Sequence, residues 1–251
     1  MNRGWCGEQG VLGHMGRTGP VGFDLDMTLI DSRPAIMAAW QAVAEETGAH
    51  IDLADVDLRM GIKLEDEVAY WFPAAEHERA AACYRRHYVA LAPTLTTLLP
   101  GAVEALAAVN GAGEDAVIVT AKHAMSVEPS LRAVGLAPDR LFTHVHGAEK
   151  GEVLARLGAA AYVGDTPADM GAARLAAALA VGVPTGSFDA GQLVGAGADI
   201  VLGSLLEFPS WYARLRADPQ GARRGVTPAS QPSARGWAGA TMTEGTCADG
   251  D

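Results

Sequence analysis

Residues 21–32 read VGFDLDMTLIDS, and this stretch decides the fold. It opens on a short apolar run, Val21 to Asp24, that ends in an acid. The run lacks apolar–polar alternation, which suits a strand buried on both faces. Similar runs recur downstream: AVIVT over Ala116 to Thr120, AAYV over Ala160 to Val163, ALAV over Ala178 to Val181, and Ile200 to Leu202. Helical patterns separate them, at Ala102 to Asn110, Met125 to Val134, Gly151 to Leu157, Ala168 to Ala177 and Leu205 to Arg214. Strands alternating with helices predict an α/β fold, a parallel sheet with helices on both faces.

Directly after the opening stretch this rhythm breaks. From Arg33 to about Leu98 no strand pattern is evident. Ala35 to Thr47 reads as a helix stopped by Gly48, and Leu64 to Phe72 and Glu76 to Leu91 read as two more, split by Pro73. A helical stretch of this length exceeds a simple crossover and predicts an inserted all-helical domain. The expected organisation is a core over 20–32 and 99–213 with a helical cap over 33–98. A leader over 1–19 and a tail over 214–251 are poor in large apolar groups and are expected to be disordered.

The chain has 251 residues and a formal net charge of −11. That balance argues against a nucleic-acid partner held by phosphate neutralisation, but not against a small anion held at one local positive site. No apolar window is long enough for a membrane span. Cys6, Cys83 and Cys247 are too few and too far apart for a disulfide framework or a zinc site. Cys83 lies in an alanine-rich helical pattern and is expected to be a small buried apolar residue. MNRGWCGEQG lacks the apolar core of a secretory signal, so a cytoplasmic location is expected, as a monomer or homodimer.

Open parallel sheets carry their sites beyond the carboxyl ends of the strands. Those ends bear Asp24 and Asp26, Thr120-Ala121-Lys122, and the run GDTPAD with Asp165 and Asp169; a helix start bears Lys150. Each has an ordinary structural reading alone. Asp-x-Asp is a turn signal, a strand-end Thr is a helix cap, and GDTPAD is a sound helix start. Gathered at one edge, the carboxylates would repel unless a cation joined them. Hard oxygen ligands suit Mg²⁺. A lysine and a hydroxyl would supply donors for phosphoryl oxygens. One aspartate could act as a nucleophile and a second as acid and base.

In that order the motifs resemble those of the haloacid dehalogenase (HAD) superfamily, in the subgroup with a helical cap inserted after the first motif. GFDLDMTLIDS resembles the first motif, VIVTAK the second, Lys150 the third and VGDTPADM the fourth. GVPTG and GADIVLGSLLEFPSW resemble the close of the fold in phosphoglycolate-phosphatase-like members. The resemblance implies that Asp24 attacks phosphorus and that Asp26 protonates the leaving oxygen and then activates water. It implies Mg²⁺ on the Asp24 side chain, the Asp26 backbone carbonyl and Asp165, with Asp169 ordering a metal-bound water or Lys150. Thr120, the Ala121 amide and Lys150 would hold the phosphoryl oxygens. Many relatives carry Gly where this chain has Met27, and Met there requires a negative φ to be free of strain.

The acid at position 26 favours a phosphate ester over a haloacid, because an alkoxide must be protonated as it leaves and a halide need not be. The expected function is a Mg²⁺-dependent phosphatase of a small phosphorylated metabolite, with phosphoglycolate as the first candidate. The alternatives are a phosphomutase or phosphonate hydrolase on the same scaffold, or a non-catalytic phosphate-binding module. A cap loop over Arg59-Met60-Gly61-Ile62-Lys63 would face the site, with Arg59 or Lys63 meeting a second anionic group of the substrate. Arg85, Arg86 and His87 are expected on a solvated face, and His144 and His146 on one side of a strand.

Overall fold

The computed structural model describes residues 19–218. The leader and tail, including Cys6, Trp237 and Cys247, therefore lie outside the described residues except at Gly19 and 214–218. In the order of the chain the strands are β1 (Val21–Phe23), β2 (Ile30–Asp31), β3 (Thr97–Leu98), β4 (Ala116–Val119), β5 (Arg140–Phe142), β6 (Ala161–Gly164), β7 (Leu179–Gly182) and β8 (Ile200–Val201). Six of them form one parallel sheet in the order β5-β4-β1-β6-β7-β8. Val21 pairs with Ala116 on one side and Ala161 on the other. The chain thus winds outward from β1 in one direction and then in the other, and the crevice between β1 and β6 is the switch point where such sheets bind ligands.

β1, β4, β6 and β7 are buried along their whole length, which explains their unbroken apolar runs. Alternate residues feed two cores. Phe23, Ile118, Val163 and Val181 face one layer with Phe208, Trp211 and Leu215. Val117, Val119, Tyr162 and Ala180 face the other with Leu154, Met170 and Leu193. The helices around the sheet are α5 (Ala102–Gly111), α6 (Ala124–Val134), α7 (Ala148–Leu157), α8 (Pro167–Leu175), α9 (Ala190–Gly195) and α10 (Phe208–Ala217).

Between β2 and β3 lie α1 (Arg33–Thr47), α2 (Leu53–Leu58), α3 (Leu64–Trp71) and α4 (His77–Leu95), packed around Trp40, Val43, Val68, Phe72 and the buried Cys83. Pro34 stands in the first turn of α1, and Gly48 closes it in the left-handed conformation. β2 and β3 pair antiparallel to each other, so a two-stranded ribbon carries both crossings between this helical insert and the sheet. Tyr88 of α4 ties the insert to α6 through a hydrogen bond of 2.9 Å with Ser130.

Several details differ from the sequence expectation. β5 is an edge strand with two exposed residues, so no buried run announces it. β3 falls inside the stretch expected to lack strands. α2 and α9 are one and a half turns each, too short for periodicity. α10 runs to Ala217 and buries Leu215, so folded structure continues into the stretch expected to begin the tail.

After β3 the chain turns at Gly101, whose φ is +88°. A Cβ there would overlap the backbone of Leu205 and Leu206. Gly101→Ala combines left-handed strain with a collision that backbone cannot relieve by rotation. It is expected to cost about 2–5 kcal/mol, measured as the shift of the urea unfolding midpoint. A change below about 0.5 kcal/mol would show that this corner gives way freely.

Candidate active site

Asp24 follows β1 directly, and its amide donates to the Val163 carbonyl at 2.9 Å. This bond continues the sheet for one residue and aims the carboxylate past the strand ends. The chain then curls: Thr28, Leu29 and Ile30 amides all donate to the Leu25 carbonyl. Met27 sits in that curl at φ 57°. The condition for a strain-free methionine is therefore not met. The side chain is 6% exposed, so burial of methionine offsets the strain of a left-handed residue. Thr185, beyond β7, holds the curl by donating to the Met27 carbonyl.

Asp24, Asp165 and Asp169 gather at the β1–β6 crevice, each offering an oxygen within 4.8 Å of the others. All three are buried. Burial, above all, lifts the Asp24 pKa to about 7; Lys150 opposes this, and Asp169 and Asp26 reinforce it. Asp165 is also raised, by burial first and then by Asp169 and Asp24. Lys150, from the first turn of α7, lies 2.7 Å from Asp169 Oδ1 and 3.1 Å from Asp24 Oδ1. Burial opposes its charge, but the two carboxylates outweigh burial and raise its pKa. Asp24 Oδ1 nonetheless lacks an aligned hydrogen bond. Thr28 donates to Asp165 Oδ1 at 3.0 Å.

Asp169 has a second task. Its Oδ2 accepts from the Thr166 amide and hydroxyl, closing a capping box at the start of α8. Of its two expected roles, ordering Lys150 is the one with a direct contact in the structure. Gly186 presses on the cluster from the loop after β7: a Cβ there would overlap Asp165 Oδ2. A set of buried, mutually repelling carboxylates with one orphaned oxygen fits a small hard cation.

That fit gives a prediction with a definite sign. An acid whose folded pKa is raised favours the fold while protonated, below its unfolded pKa of 3.8, and loses that contribution as pH climbs through about 7. Protons and Mg²⁺ compete for the same oxygens. Millimolar Mg²⁺ is expected to raise the melting temperature by about 5–10 °C at pH 8, the shift for roughly a hundredfold excess over Kd, and by far less at pH 5. Differential scanning fluorimetry at both pH values checks this; equal shifts would mean that these carboxylates do not hold the ion.

Asp26 points into the neighbouring cleft. It accepts from Ser32, and Lys122 Nζ lies 2.6 Å from its Oδ1. The Lys122 side chain is 8% exposed and sits 4.2 Å above the Tyr88 ring. Burial works against its charge, yet Asp26 and Tyr88 raise its pKa. Thr120, at the end of β4, is buried, and its oxygen accepts from the Lys122 amide at 3.1 Å. Lys122, Thr28, Ser32 and Gly186 were not singled out as site residues from sequence. For Lys122 the signal was present, since it closes VIVTAK at a strand end.

Thr120, Ala121 and Lys150 line one cavity with Asp24, Asp26 and Asp165, roofed by the insert and about 390 Å³ in volume. Arg59 and Lys63 line it too. Gly61 between them, at φ +94°, brings the loop against Thr166. Arg59 is already engaged: its Nε donates to Glu67 at 2.8 Å and its guanidinium lies 4.0 Å over Tyr70. Lys63 makes no ion pair among the described residues. Arg85 differs from expectation, because it lines the cavity and pairs with Glu65 at 2.6 Å. Arg86 and His87 both bind Glu46 on the outer surface.

His123, His144 and His146 meet edge to face at the core side of the cavity, with centroids 5.3 and 5.1 Å apart. His144 and His146 are not on a strand as expected. They follow β5, with His144 at φ 57°. Burial lowers the pKa of His123 and His146, helped by Arg85 and Lys63 respectively and by His144.

Comparison with known proteins agrees with this fold. The probable phosphatase IndB of Dickeya dadantii (strain 3937) is 30% identical over 209 residues, covering 74% of this chain and 89% of that protein. A hydrolase from Pseudomonas syringae superposes with a TM-score of 0.66 at 24% identity, covering 78% of this chain and 99% of the other. A predicted phosphoglycolate phosphatase from Haemophilus somnus 129PT does so with a TM-score of 0.66 at 19% identity, covering 76% and 96%. No helix among the described residues is long and apolar enough to cross a membrane. The haloacid dehalogenase-like hydrolase family matches residues 21–183, and this chain is an enzyme of that family.

Proposed function

We propose that the enzyme is a Mg²⁺-dependent phosphatase of phosphorylated metabolites, working through an aspartyl-phosphate on Asp24. The observation that carries the reading is the division of labour at the end of β1. Asp24 faces Lys150 and two further carboxylates, whereas Asp26, two residues on, faces the cavity and is held by Ser32 and Lys122. Asp24, Asp165 and the Asp26 backbone carbonyl would hold Mg²⁺, which would neutralise charge on the phosphoryl oxygens and keep Asp24 ionised. An Asp24 oxygen forms a bond to phosphorus as the ester P–O bond breaks, and Asp26 gives its proton to the departing oxygen. Asp26 then takes a proton from water, whose oxygen attacks phosphorus and frees Asp24 and inorganic phosphate. Lys150 and the Thr120 hydroxyl hold phosphoryl oxygens during both steps.

The helical insert acts in this reading as a cap that excludes water and selects the leaving group. Phosphoglycolate is the candidate suggested by the family likeness. Its carboxylate would have Lys63 as its partner, since Arg59 and Arg85 are engaged by Glu67 and Glu65.

Phosphate release from p-nitrophenyl phosphate and a panel of metabolite esters tests the reading. Turnover is expected with Mg²⁺, to vanish with a chelator, and to return on readdition of metal. A folded protein that releases phosphate from none of these esters in Mg²⁺ would overturn it.

A further inference from the structure

Three consecutive residues after β7 touch three parts of the molecule that lie far apart in sequence. Thr185 donates to the Met27 carbonyl, in the curl that follows Asp24 and Asp26. Gly186 lies against Asp165, so closely that a Cβ would overlap Oδ2. Ser187 Oγ donates to the Asp57 carbonyl of α2 at 3.0 Å, across 130 positions of sequence. The curl, a buried carboxylate of the site and the helical insert thus meet on one tripeptide.

The tripeptide is held at both ends. Before it, the Val183 amide donates at 3.0 Å to the carbonyl of Gly164, the residue next to Asp165. After it, Asp189 and Gln192 close a capping box at the start of α9. The insert side is tied as well. Asp57 pairs with Arg33 at 2.8 Å, and Arg33 follows Ser32, which donates to Asp26. The contacts therefore run from Asp26 through the root of the insert and back to Asp165. If α2 shifts against the core, either the Ser187 bond breaks or the Gly186 backbone follows. That backbone has no room to approach Asp165 without turning its carboxylate.

Building on the phosphatase reading and its metal, we propose that Ser187 is a positioning residue, through which the helical insert sets the Asp165 carboxylate. With α2 seated, Ser187 keeps Gly186 where it stands, and Gly186 confines Oδ2 toward Asp24 and Asp169. The seated insert and Mg²⁺ then favour the same arrangement, so each strengthens the other. The net contribution of one hydrogen bond sets the size of this coupling at about three- to tenfold. Linkage makes the factor the same in both directions.

Two measurements on the full-length protein at pH 8 test this. In the first, Mg²⁺ is titrated by calorimetry into metal-free wild type, Ser187→Ala and Ser187→Thr. Ser187 is half-buried and lies outside any helix or strand, so both variants are expected to fold. The Kd for Mg²⁺ is expected to rise about three- to tenfold in Ser187→Ala. Ser187→Thr keeps the hydroxyl and is expected to stay within about twofold of the wild type. In the second, amide hydrogen exchange over residues 53–59 is followed with and without Mg²⁺. Addition of Mg²⁺ is expected to slow exchange there about three- to tenfold in the wild type and to leave it unchanged in Ser187→Ala. A residue that merely stabilised the fold would alter exchange alike with and without the metal. Unchanged Mg²⁺ affinity in Ser187→Ala, no rescue by threonine, or wild-type exchange indifferent to Mg²⁺ would each overturn the proposal and leave the phosphatase reading standing. A wild type that binds no Mg²⁺ would overturn both.

Discussion

Asp24→Asn is expected to lower phosphate release by at least about four orders of magnitude, the scale seen when a covalent nucleophile is removed. The same change should raise the melting temperature of the metal-free protein at pH 8. Asparagine keeps the shape of aspartate but removes one of three buried charges that repel one another. Burial already lifts Asp24 to about pH 7, so its ionised form is costly at pH 8. Lys150 keeps Asp169 at 2.7 Å and is not stranded. Loss of activity with gain of stability separates a nucleophile from a merely structural acid, whose removal would lower both. Residual turnover within about tenfold of the wild type would place the nucleophile elsewhere.

The second large effect is expected at Gly186, which touches no substrate. Its backbone approaches Asp165 so closely that a methyl group would overlap Oδ2. That atom ends a side chain that can rotate, so Gly186→Ala should fold. The rotated carboxylate would then face away from the other two. The Mg²⁺ concentration for half-maximal activity is expected to rise about 10–100-fold, the usual cost of disturbing the groups that orient a ligand. The stabilisation by Mg²⁺ at pH 8 should shrink in parallel. An unchanged metal dependence would remove Asp165 from the ligand set.

The parts of the fold legible in sequence were those with a one-dimensional cause. Strands β1, β4, β6 and β7 are buried on both faces and read as unbroken apolar runs. α1 and α4 are long enough to show their period. β5 escaped because an edge strand need not be apolar, and α2 and α9 because so few residues carry no period. At the site, Asp24, Asp26 and Asp165 stood out only together, as acids at successive strand ends in an order that resembles the family's motifs; each alone reads as a turn or a helix start. Lys122 did not, because a lysine is ordinarily surface, and only the third dimension brings it 96 positions back to Asp26. The left-handed Met27 was not legible because the tertiary contacts that hold it, Thr185 above all, lie far along the chain.

The sheet order has a consequence for how the protein is made. β1 carries the two acids, and its partners are β4 on one side and β6 on the other. The helices of the insert, by contrast, find most of their contacts among themselves: α1 packs on α4 before any later strand is needed, and α4 also leans on α6 of the core. During synthesis from the amino end, the insert has all of its sequence when Leu95 emerges. β1 must wait with both edges open until Ala116 arrives, and with one edge open until Ala161 does. Local contacts form faster than distant ones, so the insert is built first and β1, with its two acids, is locked in late. A nascent chain arrested before Ala161 would display a finished helical insert beside an unfinished sheet, with an exposed strand edge for a chaperone to cover.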